Sequence, residues 1–438
     1  LPNNRGSNMQ SEFLPQMLKS TPSSGEGIQI LPKELKPLQK GYKYELYPNK
    51  EQKEYLEKIF GSCRWVYNNL LAIQIEKHKE AVANGTKPTF PSLQNLSAIL
   101  TSLKAENQWL YEVPSVALQQ AARHLEVAYK NFFRGLKVLK AKRKHRFPKF
   151  ESKKGYQSFT LMTNAFSIKD GYLYIAKCPT PIKVNWSRSL PSAPTSLTIK
   201  KSPSGRYTVS FVCVAPPRVT SGKKIVGIDV GLKSLITTSD GEKYDNPRWL
   251  KTSLNKLRRL QKALRRKQKD SHNYHKARLA LARLYERVSN QRHDWQHKIT
   301  RKLVDESQVI CVEDLRSSFM FRNHRLARTA ADAGLASLLY KLQYKAIEAT
   351  GCNIIMAYMH YPSSHICSNT GLKLDRKLEL KERAWECPYC SEIHDRDVNA
   401  AINLRNYGYN ILLTSGLLNT KFFGVILGRA EDLEKEIL

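Results

Sequence analysis

Acidic residues are scarce in this sequence relative to basic ones. Its 438 residues contain 38 Asp and Glu against 72 Lys and Arg, so the formal net charge is +34. Small soluble domains usually carry a net charge of about 2–8, and charged faces turned towards water do not account for such an excess. The imbalance indicates a polyanionic partner, and nucleic acid fits better than a membrane surface.

Long apolar runs and paired cysteines are also lacking. No stretch of about 18 apolar residues occurs, which excludes a membrane-spanning helix, and the first forty residues lack the apolar segment of a secretory signal. The eight cysteines are scattered and do not make a disulfide framework, which predicts a reducing compartment, the cytoplasm. Five of them lie in apolar contexts and are predicted to be buried thiols: Cys63, Cys178, Cys213, Cys311 and Cys352.

The first half of the chain changes its pattern twice, and the full length allows roughly three domains. Residues 1–40 are rich in Pro, Ser, Asn and Gly and are predicted to be a flexible tail. Residues 41–47 alternate as a strand does, and residues 50–133 have the apolar spacing of helices. Short strands separated by Gly and Pro then predict a small β-barrel: 158–161, 172–175, 182–184, 196–200 and 207–214.

The second half opens with a predicted hairpin, 225–229 and 234–238, and continues with a helical stretch at 254–303 that is broken near Ser271. Its span Lys251–Lys302 has 17 basic and three acidic residues, which favours a face that lies along a nucleic-acid backbone. The later predicted elements are a strand at 309–312, a helix at 330–349, a strand at 353–357 and a helix from about Val398.

Three acids stand where the apolar runs end or a polar helix begins. Asp229 ends the run Ile225-Val-Gly-Ile, Glu313 ends the run Val309-Ile-Cys-Val, and Asp397 opens the last predicted helix. A carboxylate directly after β-branched residues lies at a strand end, where a rigid sheet determines its position. Three such carboxylates from distant parts of one chain can hold two divalent cations about 3.5–4 Å apart, which is the arrangement for in-line phosphodiester cleavage.

Each acid also has a simpler explanation. Asp229 could shape a turn, Asp397 could cap a helix, and Glu313 could be an exposed acid at a strand end. Jointly these explanations weaken, because strand–hairpin, strand and helix follow in the order expected of a ribonuclease-H-like domain. Three polar neighbours are predicted to be surface caps, with roles beside the metals or the scissile phosphate as the alternative: Asp395, Arg396 and Asn399.

Three cysteines late in the chain have part of the spacing of a zinc knuckle. The pair in Cys387-Pro-Tyr-Cys390 has the usual spacing of zinc-binding cysteines. In Cys367-Ser-Asn-Thr370, however, a hydroxyl stands where a fourth thiolate is expected. A neutral hydroxyl is a poor zinc ligand. Either the knuckle is metal-free and held by packing, or another group completes the site: His365, Asp375 or a water.

Several motifs in a fixed order are more specific than any of these features alone. They are Tyr44-Glu-Leu-Tyr-Pro-Asn-Lys-Glu-Gln52, Gly61-Ser-Cys-Arg-Trp-Val-Tyr-Asn68, Asn131-Phe-Phe-Arg134, Gly227-Ile-Asp-Val-Gly231, Val312-Glu-Asp-Leu315, the knuckle and residues 394–403. With them the chain resembles the TnpB family, the RNA-guided nucleases of bacterial insertion sequences, which are related to compact type V CRISPR effectors. The resemblance covers about residues 40–406.

The resemblance implies a multidomain α+β and α/β fold. It implies a wedge-type β-barrel with an inserted helical recognition domain, and a ribonuclease-H-like nuclease domain of the RuvC type that carries a zinc-ribbon-like insert. The resulting boundaries are 1–40 for the tail, 41–48 and 151–220 for the barrel, 49–150 for the recognition domain, 221–361 and 395–438 for the nuclease domain with basic helices at 251–303 and a C-terminal extension, and 362–394 for the insert.

The resemblance also implies an RNA-guided DNA endonuclease. Its partners would be a structured guide RNA and double-stranded target DNA beside a short flanking motif, with no membrane, so that DNA binding would associate it with the nucleoid. Asp229, Glu313 and Asp397 would bind Mg²⁺, and a structural Zn²⁺ would be held at Cys367, Cys387 and Cys390, with Thr370 departing from the pattern. Two alternatives remain open: a cleavage-deficient RNA-guided DNA-binding protein, and an unguided metal-dependent transposase or resolvase.

Overall fold

The computed structural model describes residues 28–29, 38–86, 91–137, 147–314, 324–358, 361–376, 378–379 and 382–414. Most of the predicted tail and the extension beyond Thr414 lie outside the described residues, although Ile28–Gln29 forms strand β1. The contacts divide the chain into two compact units. The barrel unit combines Pro37–Pro216 with Arg259–Glu286, and the mixed-sheet unit holds the described residues of Leu1–Lys36, Pro217–Arg258 and Arg287–Leu438.

The barrel unit is built on seven antiparallel strands in the order β3-β7-β8-β2-β6-β5-β4. Their bounds are β2 (Leu38–Tyr47), β3 (Gln157–Met162), β4 (Phe166–Lys169), β5 (Tyr172–Ile175), β6 (Ile182–Asn185), β7 (Ser196–Lys201) and β8 (Tyr207–Ala215). The edge strands β3 and β4 are joined by the turn Thr163–Ala165, which curls the sheet into a nearly closed barrel. The predicted strands are confirmed, but β2 begins three residues before the predicted start and β4 was not predicted.

Three helices pack on this barrel: α1 (Lys50–Ala83), α2 (Leu93–Glu106) and α3 (Ser115–Lys137). Helix α1 starts with a capping box, because the Asn49 side chain accepts a hydrogen bond from the Gln52 N–H and the Gln52 side chain accepts one from the Asn49 N–H, both at 2.8 Å. The helices and the sheet share one apolar core, in which Leu56 and Leu118 lie with Phe211. The predicted helical spacing of this region is confirmed.

The mixed-sheet unit has six strands in the order β1-β13-β12-β9-β10-β11. The bounds of its remaining strands are β9 (Lys224–Asp229), β10 (Ser234–Thr238), β11 (Lys243–Asp245), β12 (Ser307–Glu313) and β13 (Asn353–Ala357). Strands β9, β12 and β13 are parallel to one another, and β10 returns antiparallel to β9 as predicted. The predicted hairpin, formed by β9 and β10, and the two later predicted strands are therefore confirmed.

Five helices complete the description: α4 (Trp249–Arg265), α5 (His272–Glu306), α6 (His324–Ala333), α7 (Leu335–Glu348) and α8 (Arg396–Thr414). Helices α5 and α7 share a core with one face of the mixed sheet, and α8 shares a core with the other face. The break near Ser271 is confirmed, but the helix predicted at 330–349 is two helices. Gly334 separates them in a left-handed conformation, with φ of 63°, and an added Cβ there would meet Arg292 at 3.0 Å.

Two further expectations from the sequence, on membrane-spanning helices and on the burial of cysteines, can be compared with the structure. No helix within the described ranges is both long and apolar enough to cross a bilayer. All eight cysteines are free thiols, and four of the five predicted buried ones are buried, whereas Cys178 is partly exposed. Its position in the loop between β5 and β6 explains the difference, because apolar sequence neighbours do not bury a loop residue.

Candidate active site and metal centre

Asp229 and Glu313 lie side by side at the carboxyl ends of two neighbouring strands. In the parallel pairing of β9 with β12, Gly227 is opposite Cys311 and Ile228 is opposite Val312, so the next residues on each strand are the two acids. Because side chains alternate along a strand, both acids point to the same face as Gly227 and Cys311. That is the face covered by α8.

Helix α8 lies directly on the backbone of these strands. A Cβ on Gly227 would lie 1.8 Å from the carbonyl oxygen of Ala401, and one on Gly408 would lie 2.0 Å from the Cys311 sulfur. Ala401 follows Asp397 by one helical turn, about 6 Å, and Gly227 precedes Asp229 by two strand residues, about 6.6 Å. The absence of side chains at the two glycines therefore lets the first turn of α8 approach the strand ends.

The three predicted acids form one electrostatically coupled group. Burial, together with the negative charges of Asp397 and Glu313, raises the pKa of Asp229 to about 7 against the opposing charge of Arg396. Burial also raises the pKa of Glu313. Such a group of carboxylates is short of positive charge, and a divalent cation would supply it. The Arg396 guanidinium also donates a hydrogen bond to the carbonyl of Glu379 at 2.7 Å.

The cap of α8 is Asp395, whereas the Asp397 carboxylate faces the guanidinium of Arg383. The Asp395 carboxylate accepts hydrogen bonds from the N–H groups of Asp397 (3.1 Å) and Val398 (3.0 Å), and Lys243 donates to it at 2.6 Å. Capping is thus confirmed for Asp395, and the alternative that Asp397 caps the helix is wrong. Arg383 reaches both oxygens of Asp397, at 3.1 and 3.4 Å.

Two asparagines of α8 tie the helix to the loop that carries Cys367. Asn399 is 1% exposed, accepts from the N–H of Ser368 at 2.8 Å and donates to the carbonyl of Ile366 at 2.7 Å. Asn403, one turn later, donates to the same carbonyl at 2.7 Å. The prediction of a surface cap is wrong for Asn399, because buried backbone groups of this loop need its amide. The spacing of four residues between the two asparagines was the available signal.

The knuckle brings three cysteines and a histidine together. The ligand atoms of Cys367, Cys387, Cys390 and His394 all lie within 4.8 Å of one another. The His394 Nε2 is 3.3 Å from the Cys367 sulfur and 3.8 Å from the Cys390 sulfur, and these two sulfurs are 3.7 Å apart. Tetrahedral zinc with Zn–S of about 2.3 Å and Zn–N of about 2.0–2.1 Å separates its ligand atoms by roughly 3.5–3.8 Å, so the donor set fits the ion.

The fourth member of this cluster is His394, and the protein side chains that the sequence suggested for this position, His365 and Asp375, are not part of it. Burial lowers the pKa of His394, which favours the neutral imidazole that binds metals. The missed signal was the spacing Cys-x₂-Cys-x₃-His from Cys387 to His394, a common zinc pattern. His394 also begins the acidic motif of α8, so its sequence context allows two roles.

Thr370 is a hydrogen-bond donor to the first cysteine. Burial opposes ionisation of Cys367, but hydrogen bonds from the hydroxyl and N–H of Thr370 and from the N–H of Asn369 hold the pKa of the thiol below its ordinary value. A threonine at this position therefore stabilises the thiolate, which is the form that binds a metal. The departure from a four-cysteine pattern is compensated by the histidine on the other side of the cluster.

The knuckle is built on a small hairpin that leads into the acidic group. Strands β14 (Ala384–Glu386) and β15 (Ile393–Asp395) pair antiparallel, with Trp385 opposite His394. The two rings lie 4.8 Å apart, which restricts the imidazole orientation. Strand β15 is followed at once by α8, so His394 precedes Asp397 by only three residues. A metal in the knuckle would thus restrain the backbone that carries the third acid.

The comparisons with known proteins agree with these features. A protein of Streptomyces pristinaespiralis named "Putative RNA-guided DNA endonuclease" is 36% identical over 377 residues, which cover 84% of this chain and 89% of that protein. The chain belongs to the TnpB family. Another relative is the Escherichia coli "Putative RNA-guided DNA endonuclease InsQ", at 28% identity over 392 residues, with 85% of this chain and 92% of that protein covered.

Family models locate this TnpB-family resemblance along the chain. A "Probable transposase" model matches residues 204–324, and a "Cas12f1-like, TNB domain" model matches residues 336–404, which include all four knuckle residues. A model described as a "Helix-turn-helix domain" matches residues 38–81, where the structure has strand β2 and the single long helix α1. That description therefore does not fit the local structure.

A solved structure extends the likeness to the fold. The Cas12f1 chain in a complex with sgRNA and target DNA matches with a TM-score of 0.51 at 14% sequence identity, covering 82% of this chain and 83% of that chain. This TnpB-family chain therefore has a multidomain, Cas12f1-like fold with a nearly closed barrel. The predicted multidomain architecture is confirmed at that level.

Proposed function

We propose that this chain is an RNA-guided DNA endonuclease with a ribonuclease-H-like site of the RuvC type. The observation that carries the proposal is the coupling of Asp229, Glu313 and Asp397, three acids from distant parts of the sequence, at one end of the mixed sheet. The names of the Streptomyces pristinaespiralis and Escherichia coli relatives support the same reaction. An intact acidic group argues against a cleavage-deficient copy.

The carboxylates of these three residues would hold Mg²⁺, and the raised pKa values of Asp229 and Glu313 fit that use because a cation would stabilise their ionised forms. When bound, the ions activate a water and neutralise charge at the leaving oxygen of the phosphodiester. The sheet keeps Asp229 and Glu313 in a set position, and α8 presents Asp397. Arg383 would exchange its contact with Asp397 for the scissile phosphate when a cation binds.

The knuckle would hold a structural Zn²⁺ through Cys367, Cys387, Cys390 and His394. This ion would take no part in bond breaking, since all four tetrahedral positions are occupied by protein atoms. Its effect would be to keep β14 and β15 together ahead of α8. The domain boundaries given by the resemblance are part of the same proposal.

A guide RNA would supply the sequence specificity. The solved Cas12f1 chain carries an sgRNA and target DNA, and the net charge of +34 gives the present chain the electrostatic means to hold two polyanions. Base pairing between guide and target then selects the DNA, while the protein reads shape and a short flanking motif. The basic span Lys251–Lys302 is the proposed backbone contact of the nucleic acid.

The test begins with RNA that copurifies with the full chain from cells that carry its native flanking DNA. Sequencing should give one abundant structured species with a variable end, and this species should direct Mg²⁺-dependent cleavage of a matching duplex. Asp229→Ala should abolish cleavage and retain RNA binding. Asp294→Ala is the matched control, because Asp294 is an exposed acid that forms an ion pair with Lys298 on the surface of α5.

Each rival predicts a different result. An unguided transposase or resolvase would cut its DNA after the preparation has been treated with ribonuclease. A cleavage-deficient binding protein would retain the guide and bind the target without cutting at any Mg²⁺ concentration. Wild-type cleavage by Asp229→Ala would contradict the proposed site whichever partner is bound.

A further inference from the structure

An alternating row of aromatic and basic side chains crosses four neighbouring strands on the outside of the barrel. Tyr47 of β2 pairs with Lys183 of β6, Lys183 pairs with Tyr172 of β5, and Tyr172 pairs with Lys169 of β4. Directly paired residues point to the same face of a sheet. The four residues are separated by up to 136 positions in the sequence, and only the strand register puts them in line.

All four side chains face away from the barrel core. Tyr47 is 52% exposed and Tyr172 is 42% exposed, and both lysines are exposed, whereas the strand neighbours Leu46 and Leu173 are buried. Among the described residues, neither lysine has an acidic partner. Neighbouring strands lie about 4.8 Å apart, so the tyrosines are roughly 10 Å apart with an ammonium group between them.

The row stands on a rigid support. The β4–β5 hairpin closes through Asp170 and Gly171, with φ of 50° and 76°, the backbone of a tight turn with two positive φ values. The indole N–H of Trp186 donates to the Gly171 carbonyl at 2.7 Å, and the Trp186 ring stacks on Phe211 at 5.6 Å. These contacts hold the turn against the end of β6 and the barrel core. Because the strands are already ordered, they lose little conformational entropy when a ligand binds.

We propose that this row, Tyr47–Lys183–Tyr172–Lys169, binds an unpaired segment of RNA. The tyrosine rings would stack on successive exposed bases, and the ammonium groups would contact the phosphates between them. Paired bases do not expose their faces, so a duplex could use only the lysines. The proposal rests on the RNA binding of the proposed function and names a surface and a mode of contact for it.

A neighbouring carboxylate favours RNA over single-stranded DNA. Glu45 lies two residues before Tyr47 on the outer side of β2 and accepts hydrogen bonds from the Tyr47 hydroxyl at 3.2 Å and from Arg206 at 3.0 Å. Paired with Arg206, this carboxylate still has lone pairs that can accept a hydrogen bond from a ribose 2′-hydroxyl, a donor that DNA lacks. The adjacent polar residue, Asn185, is paired with Glu45 across the strands and can donate to a base edge.

Photochemical crosslinking tests the stacking contact directly. The full chain, freed of its RNA by ribonuclease and high salt, is irradiated with a short unstructured RNA that contains 5-iodouridine, and the crosslinked residues are identified by mass spectrometry. Crosslinks should fall on Tyr47 and Tyr172. Tyr340 is the reference residue, because it is 66% exposed but lies on α7 of the other unit without a matching row.

Binding measurements with the same RNA, followed by fluorescence anisotropy, test the energetics. Tyr172→Ala should weaken binding about tenfold, or about 1.4 kcal/mol, whereas Tyr172→Phe should bind as the wild type does, because stacking requires only the ring. Lys183→Ala should lower the slope of log K against log salt by about 0.7, the value for one lost phosphate contact on a single strand. Tyr340→Ala should leave binding unchanged, and thermal unfolding checks that each variant is folded.

Four outcomes would overturn the proposal or part of it. Equal binding by Tyr172→Ala and Tyr340→Ala, with crosslinks elsewhere, would leave the row as ordinary strand residues that discourage edge association. If Tyr172→Ala loses as much affinity for the deoxyribose version of the oligonucleotide as for the RNA, the assignment to RNA is wrong. A chain that binds no RNA at all would overturn the proposed function as well, whereas guided cleavage with unaffected Tyr172→Ala binding would overturn the row alone.

Discussion

Substitution of Asp229 by Asn offers a sharp test of the acidic group in the absence of metal. Asn has nearly the same shape as Asp but carries no charge, so Asp229→Asn removes the repulsion with Asp397 and Glu313 and keeps the packing. The pKa of Asp229 rises from its ordinary 3.8 to about 7 in the folded chain. This difference corresponds to at most about 4 kcal/mol of unfavourable free energy when the carboxylate is ionised.

The sign follows from proton binding. Between about pH 4 and pH 7 the unfolded chain has lost the Asp229 proton while the folded chain retains it, so the folded state binds more protons and its stability falls as the pH rises. Above about pH 7 the penalty is complete, and below about pH 4 it is absent. The Asn variant does not titrate, and it should therefore gain stability over the wild type as the pH rises through this window.

Urea unfolding in a metal chelator, followed by tryptophan fluorescence, measures the effect at about pH 4.5 and about pH 8. We expect Asp229→Asn to exceed the wild type by up to about 4 kcal/mol at the higher pH and by little at the lower pH. Saturating Mg²⁺ should reverse the order, because only the wild type gains binding free energy. Asp294→Asn, which removes an exposed carboxylate on the surface of α5, is the control for the loss of one negative charge. A gain of the same size at both pH values would refute the reasoning.

Three other predictions follow from packing and metal ligation. His394→Ala should reduce the zinc content from about one ion per chain to near zero in an elemental assay, while His365→Ala should keep it, and equal contents would contradict the assigned cluster. Gly227→Ala should destabilise the chain by about 1–3 kcal/mol or more, because helix α8 leaves no room for a Cβ. Gly61→Ala, which meets open space within α1, should instead stabilise it by up to about 1 kcal/mol. Asp332→Ala should cost about 2 kcal/mol in thermal unfolding, since this buried carboxylate accepts from two N–H groups at the start of α4 at 3.0 Å.

Much of the local structure could be predicted because its signals are short-range. The run from Ile225 to Asp229 reads as a strand that ends in an acid, and the structure agrees. Longer-range effects decided the exceptions. Gly334 inside a helical pattern costs only about 1 kcal/mol, so the sequence alone does not indicate a break. The nearby Arg292 side chain and the left-handed backbone at Gly334 belong to the folded chain.

The same contrast holds for the site: the sequence predicts which residues belong to it, and the fold decides which of them lie together. Three acids and three cysteines could be named from the sequence. Carboxylates at strand ends and Cys-x₂-Cys pairs are recognised from the residues next to them in the chain. His394 had the right spacing but two possible roles, and its distance from the cysteine sulfurs was needed to choose between them.

By itself the sequence determined the basic character, the periodicity of the main elements, the family motifs and the residues able to bind metal, since each depends on composition or on neighbours within a few positions. The tertiary structure alone decided which acid caps α8, which side chain completes the knuckle and which exposed tyrosines share a row with Lys183. The physical reason is that these relations depend on strand register and on how closely a helix can approach a sheet. Both are set by the packing of segments that lie far apart in the chain.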